Sequence, residues 1–417
     1  MKPGATAPGR DSGDGALNAS TRDPHPSSMA PESAAQIPMS VYVHVPWCIR
    51  KCPYCDFNSH AVQGDIDQTG YVQALLRDLD IQLAERPLAP ALSLFIGGGT
   101  PSLFDGSAIG ALIDGIDRRL GLAGDAEITL EANPGTAEAG RFADYRATGV
   151  NRLSIGVQSL DDARLAALGR IHDAAEAVNA VRMARAAGFA NMNLDLMYGL
   201  PGQDVTTALA DLRGVIGLEP THVSWYQLTL EPNTWFHHRP PPGLPDDDGL
   251  ADIMDAGQVL LAESGFAQYE VSAYARDGFR CRHNLNYWGF GDYLGIGAGA
   301  HGKRTLPGHA VVRTTRPRQP RVYRETVARG EPAQIAQVSP ADLAAEFMLN
   351  ALRLNQGVPA AWFTARTGLA EARIEATRAR AVARGLLADV HDRIAPTPLG
   401  QRFLNDLLIM FERGADE

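Results

Sequence analysis

Val41-Tyr-Val-His-Val-Pro-Trp-Cys-Ile-Arg-Lys-Cys-Pro-Tyr-Cys-Asp-Phe-Asn-Ser59 runs an apolar segment straight into Cys48, Cys52 and Cys55. Neither gap in C-x3-C-x2-C suits a strand, so the spacing reads as a short loop wrapped round one small inorganic object. Three thiolates are one fewer than a cubane iron–sulfur cluster takes, and one iron is then left without a protein ligand. An open coordination position is what reactive metal sites keep and structural sites close. The competing readings are weaker. Buried structural thiols sit badly with Arg50 and Lys51 inside the loop. Disulfides need an oxidising compartment, and no apolar secretory segment is evident. A structural zinc would want a fourth ligand such as His44 or His60.

Outward from the loop, the pattern is short apolar strand, loop, amphipathic helix, repeated. Strands are expected at Ser40–Val45, Leu92–Ile96, Glu127–Leu130, Arg152–Val157, Asn191–Leu196 and His222–Tyr226. Helices are expected near Tyr71–Arg86, Ala108–Leu120, Ala137–Thr148, Ala174–Ala187 and Val205–Ile216. Such alternation predicts βα units on a parallel sheet, either doubly wound or a partial barrel. Polar residues close successive strands and would converge on one face, which is how barrel active sites are built. The expectation is therefore an α/β fold, a (β/α)6 partial barrel over residues 38–230.

Residues 1–37 are rich in Gly, Pro, Ser, Ala and Asp and read as a disordered tail. Residues 231–338 are less regular, with a Pro-rich then acidic connection at Pro240–Asp248 and a glycine-rich stretch from Trp288 to Gly302. Helices followed by a short hairpin over 339–417 suggest a mostly helical, winged-helix-like domain. The net charge of −10 over 417 residues argues against a nucleic-acid partner. No apolar run approaches the ~18 residues of a membrane span, so the chain is expected in the cytoplasm.

Several residues carry candidate chemistry. Gly97-Gly-Gly-Thr-Pro101 follows a strand and lets backbone approach a ligand closely. Glu131 ends an apolar strand, where a carboxylate is costly without a partner. Gln158 ends the next strand, Arg170 offers a rigid fork for a carboxylate, and Asp195 is charged within an apolar strand. Each has a structural alternative, from salt bridge to tight turn. The segment His283-Asn-Leu-Asn-Tyr-Trp288 follows Cys281. Its imidazole could ligate haem iron and its aromatics could wall a macrocycle, or all of them could simply cap and pack.

The cysteine loop resembles that of the radical S-adenosylmethionine (SAM) superfamily. From about Val41 to beyond His301 the chain is similar to the oxygen-independent coproporphyrinogen III oxidase family, and most of all to its HemW-type haem chaperone branch. The resemblance implies a [4Fe–4S] cluster on Cys48, Cys52 and Cys55. It implies SAM held near Gly98, Gly99, Thr100, Glu131, Gln158, Arg170 and Asp195. Tyr42 would pack near SAM, Tyr54 beside the cluster and Thr229 at the far edge. The oxidases carry C-x3-C-x2-C-x-C, and Phe57 stands here at the fourth cysteine position. Asp56-Phe-Asn-Ser59 and the H-N-x-x-Y-W segment match the chaperone branch, which points to haem at His283, Tyr287 and Trp288. The implied function is haem binding and transfer to an acceptor protein, with an electron donor for the cluster. The alternative is oxidative decarboxylation of coproporphyrinogen III by a SAM-derived radical, and Phe57 counts against such enzyme activity.

Overall fold

A computed structural model describes residues 37–84, 88–135 and 139–413. The expected tail lies outside these residues except at its final position, as do the end of the Tyr71–Arg86 helix and the start of the Ala137–Thr148 helix. The described helices are Gln68–Leu83 and Phe142–Ala147.

Six parallel strands form the frame: β1 (Met39–Val45), β2 (Ala91–Gly98), β3 (Leu122–Ala132), β4 (Arg152–Gln158), β5 (Asn191–Tyr198) and β6 (His222–Gln227). They lie side by side in chain order, each paired in parallel with the next. A doubly wound sheet reverses order at a switch point; this one never does, so its strand ends all face one way, as in a partial barrel. Both faces of the central strands are covered. Val41, Val43, Val45, Leu94, Ile96, Leu153 and Ile155 are fully buried, as parallel strands between helices require.

The sheet extends beyond six strands. β9 (Asp292–Ile296) pairs in parallel with the open flank of β1. Three antiparallel strands follow it outward: β10 (His301–Thr305), β11 (Val311–Thr315) and β12 (Gln334–Gln337). On the other flank β8 (Ala273–Ala275) pairs antiparallel with β6, and β7 (Ala267–Glu270) pairs antiparallel with β8. The glycine-rich stretch therefore contains one strand and the start of another, and close packing explains Gly295 and Gly297. A Cβ on Gly295 would lie 1.9 Å from the His301 carbonyl oxygen, and one on Gly297 2.3 Å from that of His44. The acidic connection also proves structural, because Asp246 caps the Asp247–Glu263 helix by accepting from the Gly249 N–H.

The C-terminal part holds helices Pro340–Ala351, Ala361–Thr367 and Ala372–Ala383, with Val358–Pro359 paired to Arg393–Ile394 as a small wing. The closing helix breaks at Phe403 into Pro398–Arg402 and Leu404–Arg413. Its core of Phe347, Met348, Phe363, Ile374 and Leu407 runs on into Tyr269, Ala273 and Phe290. The C-terminal part thus shares its apolar interior with the extension of the sheet.

Candidate functional site at the barrel mouth

The cysteine loop leaves the C-terminal end of β1 and is tied down on every side. Arg50 donates to the carbonyls of Gly169 and Arg170, and Lys51 to that of Phe57. Asn58 bridges the loop to the Ala298 and Arg318 carbonyls, 2.8 Å each. All three thiols are free and half-buried. Each sulfur meets a donor: Thr100 Oγ1 lies 3.5 Å from Cys48, an Arg170 nitrogen 3.6 Å from Cys52, and Ser59 Oγ 3.9 Å from Cys55. Donors aimed at sulfur stabilise thiolate and tune a cluster. Burial pushes the Cys48 and Cys55 thiols up, so metal must displace protons to enter. The zinc alternative loses its fourth ligand: His44 uses Nδ1 on the Tyr42 hydroxyl and Nε2 on the Asn58 carbonyl, and His60 Nε2 faces the Arg318 carbonyl. Phe57 projects into solvent, 60% exposed.

The glycine turn is clamped to the same loop. Gly99 N–H donates to the Val45 carbonyl and Thr100 N–H to that of Trp47, both 2.7 Å. Gly98 N–H donates to Glu131 Oε2 at 2.9 Å. With these N–H groups engaged, carbonyl oxygen is what the turn can offer a ligand, and carbonyls suit an ammonium group. Gly98 sits at φ +121°, and a Cβ there would lie 2.7 Å from the His44 ring. Only glycine fits.

Two half-buried carboxylates face this mouth. Glu131 is raised to about 7, chiefly by burial and next by the charge of Asp195. Asp195 is raised by burial too, opposed by donors from Asn193, Ser224 and Ser154. Like charges held in a dry site need a cation to ionise together. Arg170 donates to Asn133 Oδ1 at 2.8 Å and to the Gly156 carbonyl at 3.1 Å, while its Nε is buried with no partner among the described residues. An orphaned guanidinium N–H and two mutually repelling carboxylates fit a zwitterionic ligand with an ammonium and a carboxylate.

Gln158 adds a backbone signature. Its φ is +70°, beside an irregularity in the pairing of β4 with β5, and its Oε1 accepts from the Tyr226 hydroxyl at 2.8 Å. A glutamine held there costs on the order of 1–3 kcal/mol and is kept only where the surroundings impose it. Tyr42 lies over Phe95, and Tyr54 packs beside Phe236. Thr229 is exposed beyond the end of β6. Two residues escaped the sequence reading. Asn133 links Arg170 to Thr100, to which it donates at 2.9 Å, and Tyr226 anchors Gln158. Asn133 stands two positions from Glu131, the spacing that returns to one side of an extended chain.

The opposite end of the barrel is closed. The Arg282–Trp288 helix packs under the starts of β1 and β2. His283 is 9% exposed, its Nδ1 3.1 Å from Ser93 Oγ and its ring against Phe95, and burial drives it down to about 3. Asn286 bonds Ser40 Oγ and the Asp292 carbonyl. Tyr287 packs on Tyr293, and Trp288 lies under Arg353. Cys281 is buried against Glu127 and pushed up to about 12. The packing role weighed for this segment is the one its geometry favours, and the segment does not meet the cysteine loop.

Comparison with known proteins places this architecture. A family model described as the radical SAM superfamily matches residues 42–212, and one described as the HemN C-terminal domain matches residues 338–403. The heme chaperone HemW of Escherichia coli is 52% identical over 374 residues, covering 90% of this chain and 98% of that one. The heme chaperone HemW of Haemophilus influenzae is 48% identical over 381 residues, with the same coverage, 90% and 98%. The chain belongs to the HemW family of radical SAM proteins. The crystallised coproporphyrinogen III oxidase HemN of Escherichia coli shares the fold, with a TM-score of 0.76 at 22% identity over 94% of this chain and 92% of that one. No helix among the described residues is long and apolar enough to cross a membrane.

Proposed function

We propose that this chain is a haem chaperone, binding haem and passing it to an acceptor protein in the cytoplasm. The observation that carries the reading is the full-length likeness to proteins named heme chaperone HemW, 52% identical over 90% of the chain. Phe57 supports it, because the loop lacks the fourth cysteine expected of the oxidases. In this reading Cys48, Cys52 and Cys55 hold a [4Fe–4S] cluster, which when bound supplies one-electron chemistry toward SAM. The electron would come from a separate donor.

The chain's own residues would set the rest. Glu131 and Asp195 draw in an ammonium group, whose charge lets both ionise. Gly98, Gly99 and Thr100 shape the turn that receives it. The orphaned Nε of Arg170 takes a carboxylate, and the same side chain braces Cys52. Tyr42, Tyr54 and Gln158 line the mouth, with Thr229 at its outer edge. The oxidase alternative rests on a likeness of fold alone.

The test is a titration of the full chain, cluster reconstituted anaerobically, with ferric haem. Saturation at one haem per chain, followed by release to an apo-haem protein, is the expected result. No saturable binding, together with turnover of coproporphyrinogen III, would overturn the reading in favour of the oxidase.

A further inference from the structure

The barrel interior beneath the mouth is polar where apolar side chains could have filled it. Strand register sets Ser154, Asn193 and His222 side by side on β4, β5 and β6. They stand one layer nearer the strand starts than Asp195 and Ser224, which are themselves paired. Alternation turns these residues inward, while Leu194 and Val223 between them turn to the helices. Asn193 is 2% exposed and His222 1%, and Tyr269 of β7 is buried with them. A buried amide, imidazole and phenol are each costly unless satisfied, so the layer calls for an account beyond filling space.

Its hydrogen bonds all lead to Asp195. Asn193 Nδ2 donates to Asp195 Oδ1 and to Ser154 Oγ, both at 2.8 Å, and Ser154 Oγ donates on to Asp195 Oδ2 at 3.2 Å. Asn193 Oδ1 stands 2.6 Å from His222 Nδ1 and accepts from Ser224 Oγ at 3.0 Å. His222 Nε2 stands 2.8 Å from the Tyr269 hydroxyl, whose oxygen accepts from the Cys281 N–H at 3.3 Å. The carboxylate fixes the polarity of each link. It accepts, so the amide nitrogen of Asn193 faces it and the amide oxygen faces away. That oxygen accepts too, so His222 Nδ1 carries the proton, and Nε2 takes the Tyr269 O–H. Burial, then the charge of Arg152, holds His222 well below its ordinary pKa, and a neutral ring is what this chain needs.

We propose that Asn193 and His222 are positioning residues for the SAM site. Turned over about its last bond, the Asn193 amide would set an oxygen against the Asp195 carboxylate. His222 forbids this, because its Nδ1–H would then meet an N–H group. The amide so fixed takes Asp195 from beneath and leaves the remaining lone pairs of the carboxylate toward the ammonium group. Tyr269 acts one step further out, by setting which nitrogen of His222 carries the proton. None of the three touches the ligand; each acts through the next. This inference rests on the reading above that Asp195 receives the ammonium group of SAM.

The test measures affinity by equilibrium dialysis on the full chain, cluster reconstituted, for SAM and for 5′-methylthioadenosine, which keeps the nucleoside and lacks the ammonium and carboxylate. His222→Leu should bind SAM about tenfold more weakly, the scale of one hydrogen bond to a charged group, and methylthioadenosine as wild type does. His222→Asn should stay within about twofold of wild type for SAM, because its amide nitrogen stands as many bonds from the backbone as Nδ1 and can donate in its place. Tyr269→Phe removes one oxygen and should weaken SAM about threefold; it carries the test should His222→Leu not fold. Equal losses for both ligands, or equal losses in His222→Leu and His222→Asn, would make the layer structural and overturn the positioning role. Full SAM affinity in folded His222→Leu, or in Tyr269→Phe should that variant not fold, would do the same. If wild type binds SAM no more tightly than methylthioadenosine, the mouth does not read the ammonium group, and the assignment of Asp195 falls with the inference.

Discussion

The two ends of the barrel hold similar side chains in opposite states. At the N-terminal end, His283, Asn286, Glu127, Arg282 and Cys281 bond to one another or to strand starts, under a helix that seals them in. At the C-terminal end, Glu131 and Asp195 raise each other's cost of ionising, which the charge of Arg152 only partly offsets, and the Nε of Arg170 has no partner among the described residues. Both ends are dry. Polar groups at the N-terminal end bond mainly to strand starts, with Asn286 Oδ1, Trp288 Nε1 and Arg152 Nε left over among the described residues, whereas the C-terminal end opens two carboxylates and a guanidinium N–H toward a ligand.

That contrast can be broken at several points. The largest effect is expected at Cys52→Ser, whose iron and sulfide content after reconstitution should drop to background while the fold, read by circular dichroism, survives. Retained iron would return the loop to a structural role. At the sealed end, His283→Ala should cost about 2–4 kcal/mol in chemical denaturation, as a buried ring lost from a packed site does, and leave haem stoichiometry alone. Lost haem with intact stability would reverse the assignment of the two ends.

Glu131→Gln should move two quantities in opposite directions. SAM binding should weaken about tenfold, ~1.4 kcal/mol. The ligand-free protein should gain on the order of 1–3 kcal/mol, because a buried carboxylate no longer has to ionise. The pH dependence sharpens this. In the folded chain Glu131 holds its proton until about pH 7, against an ordinary value of 4.5. Ligand-free stability should therefore fall as pH rises between those values, since only the unfolded chain gives up the proton there. SAM affinity should run the other way, weakening as pH drops below 7, and Glu131→Gln should flatten that profile. A profile unchanged by the substitution would remove Glu131 from the binding site. The smallest effect belongs to Phe57→Ser, within about 0.5 kcal/mol for an exposed position, with no decarboxylase activity gained.

Much of this was legible beforehand, for identifiable reasons. Segments such as Val41–Val45 and Leu153–Ile155 mark buried strands because valine, leucine and isoleucine fill one face, while Tyr42, His44 and Ser154 occupy the other. Cysteine spacing is visible since a loop folded round one object keeps its ligands close in sequence. The strand at Asp292–Ile296 was not legible, since Gly295 and Gly297 mimic turn glycines while serving close backbone approach. His283 is ambiguous for a related reason. An imidazole beside aromatics reads alike whether it meets a cofactor or Phe95, and only burial distinguishes the two. Asn133 and Tyr226 were hidden because their partners, Arg170 and Gln158, lie 37 and 68 positions away.

The left-handed backbone at Gln158 has a consequence for how this site can vary. Most substitutions there would be filtered first by conformation and only then by chemistry. Asparagine and glycine enter that region with little strain, whereas valine, isoleucine and threonine do not. Saturation mutagenesis at this position should thus yield survivors ranked by torsional tolerance, with side-chain polarity as a minor axis. A barrel mouth built on such a residue is buffered against gradual drift. It changes by rare jumps between the few amino acids that its main chain admits.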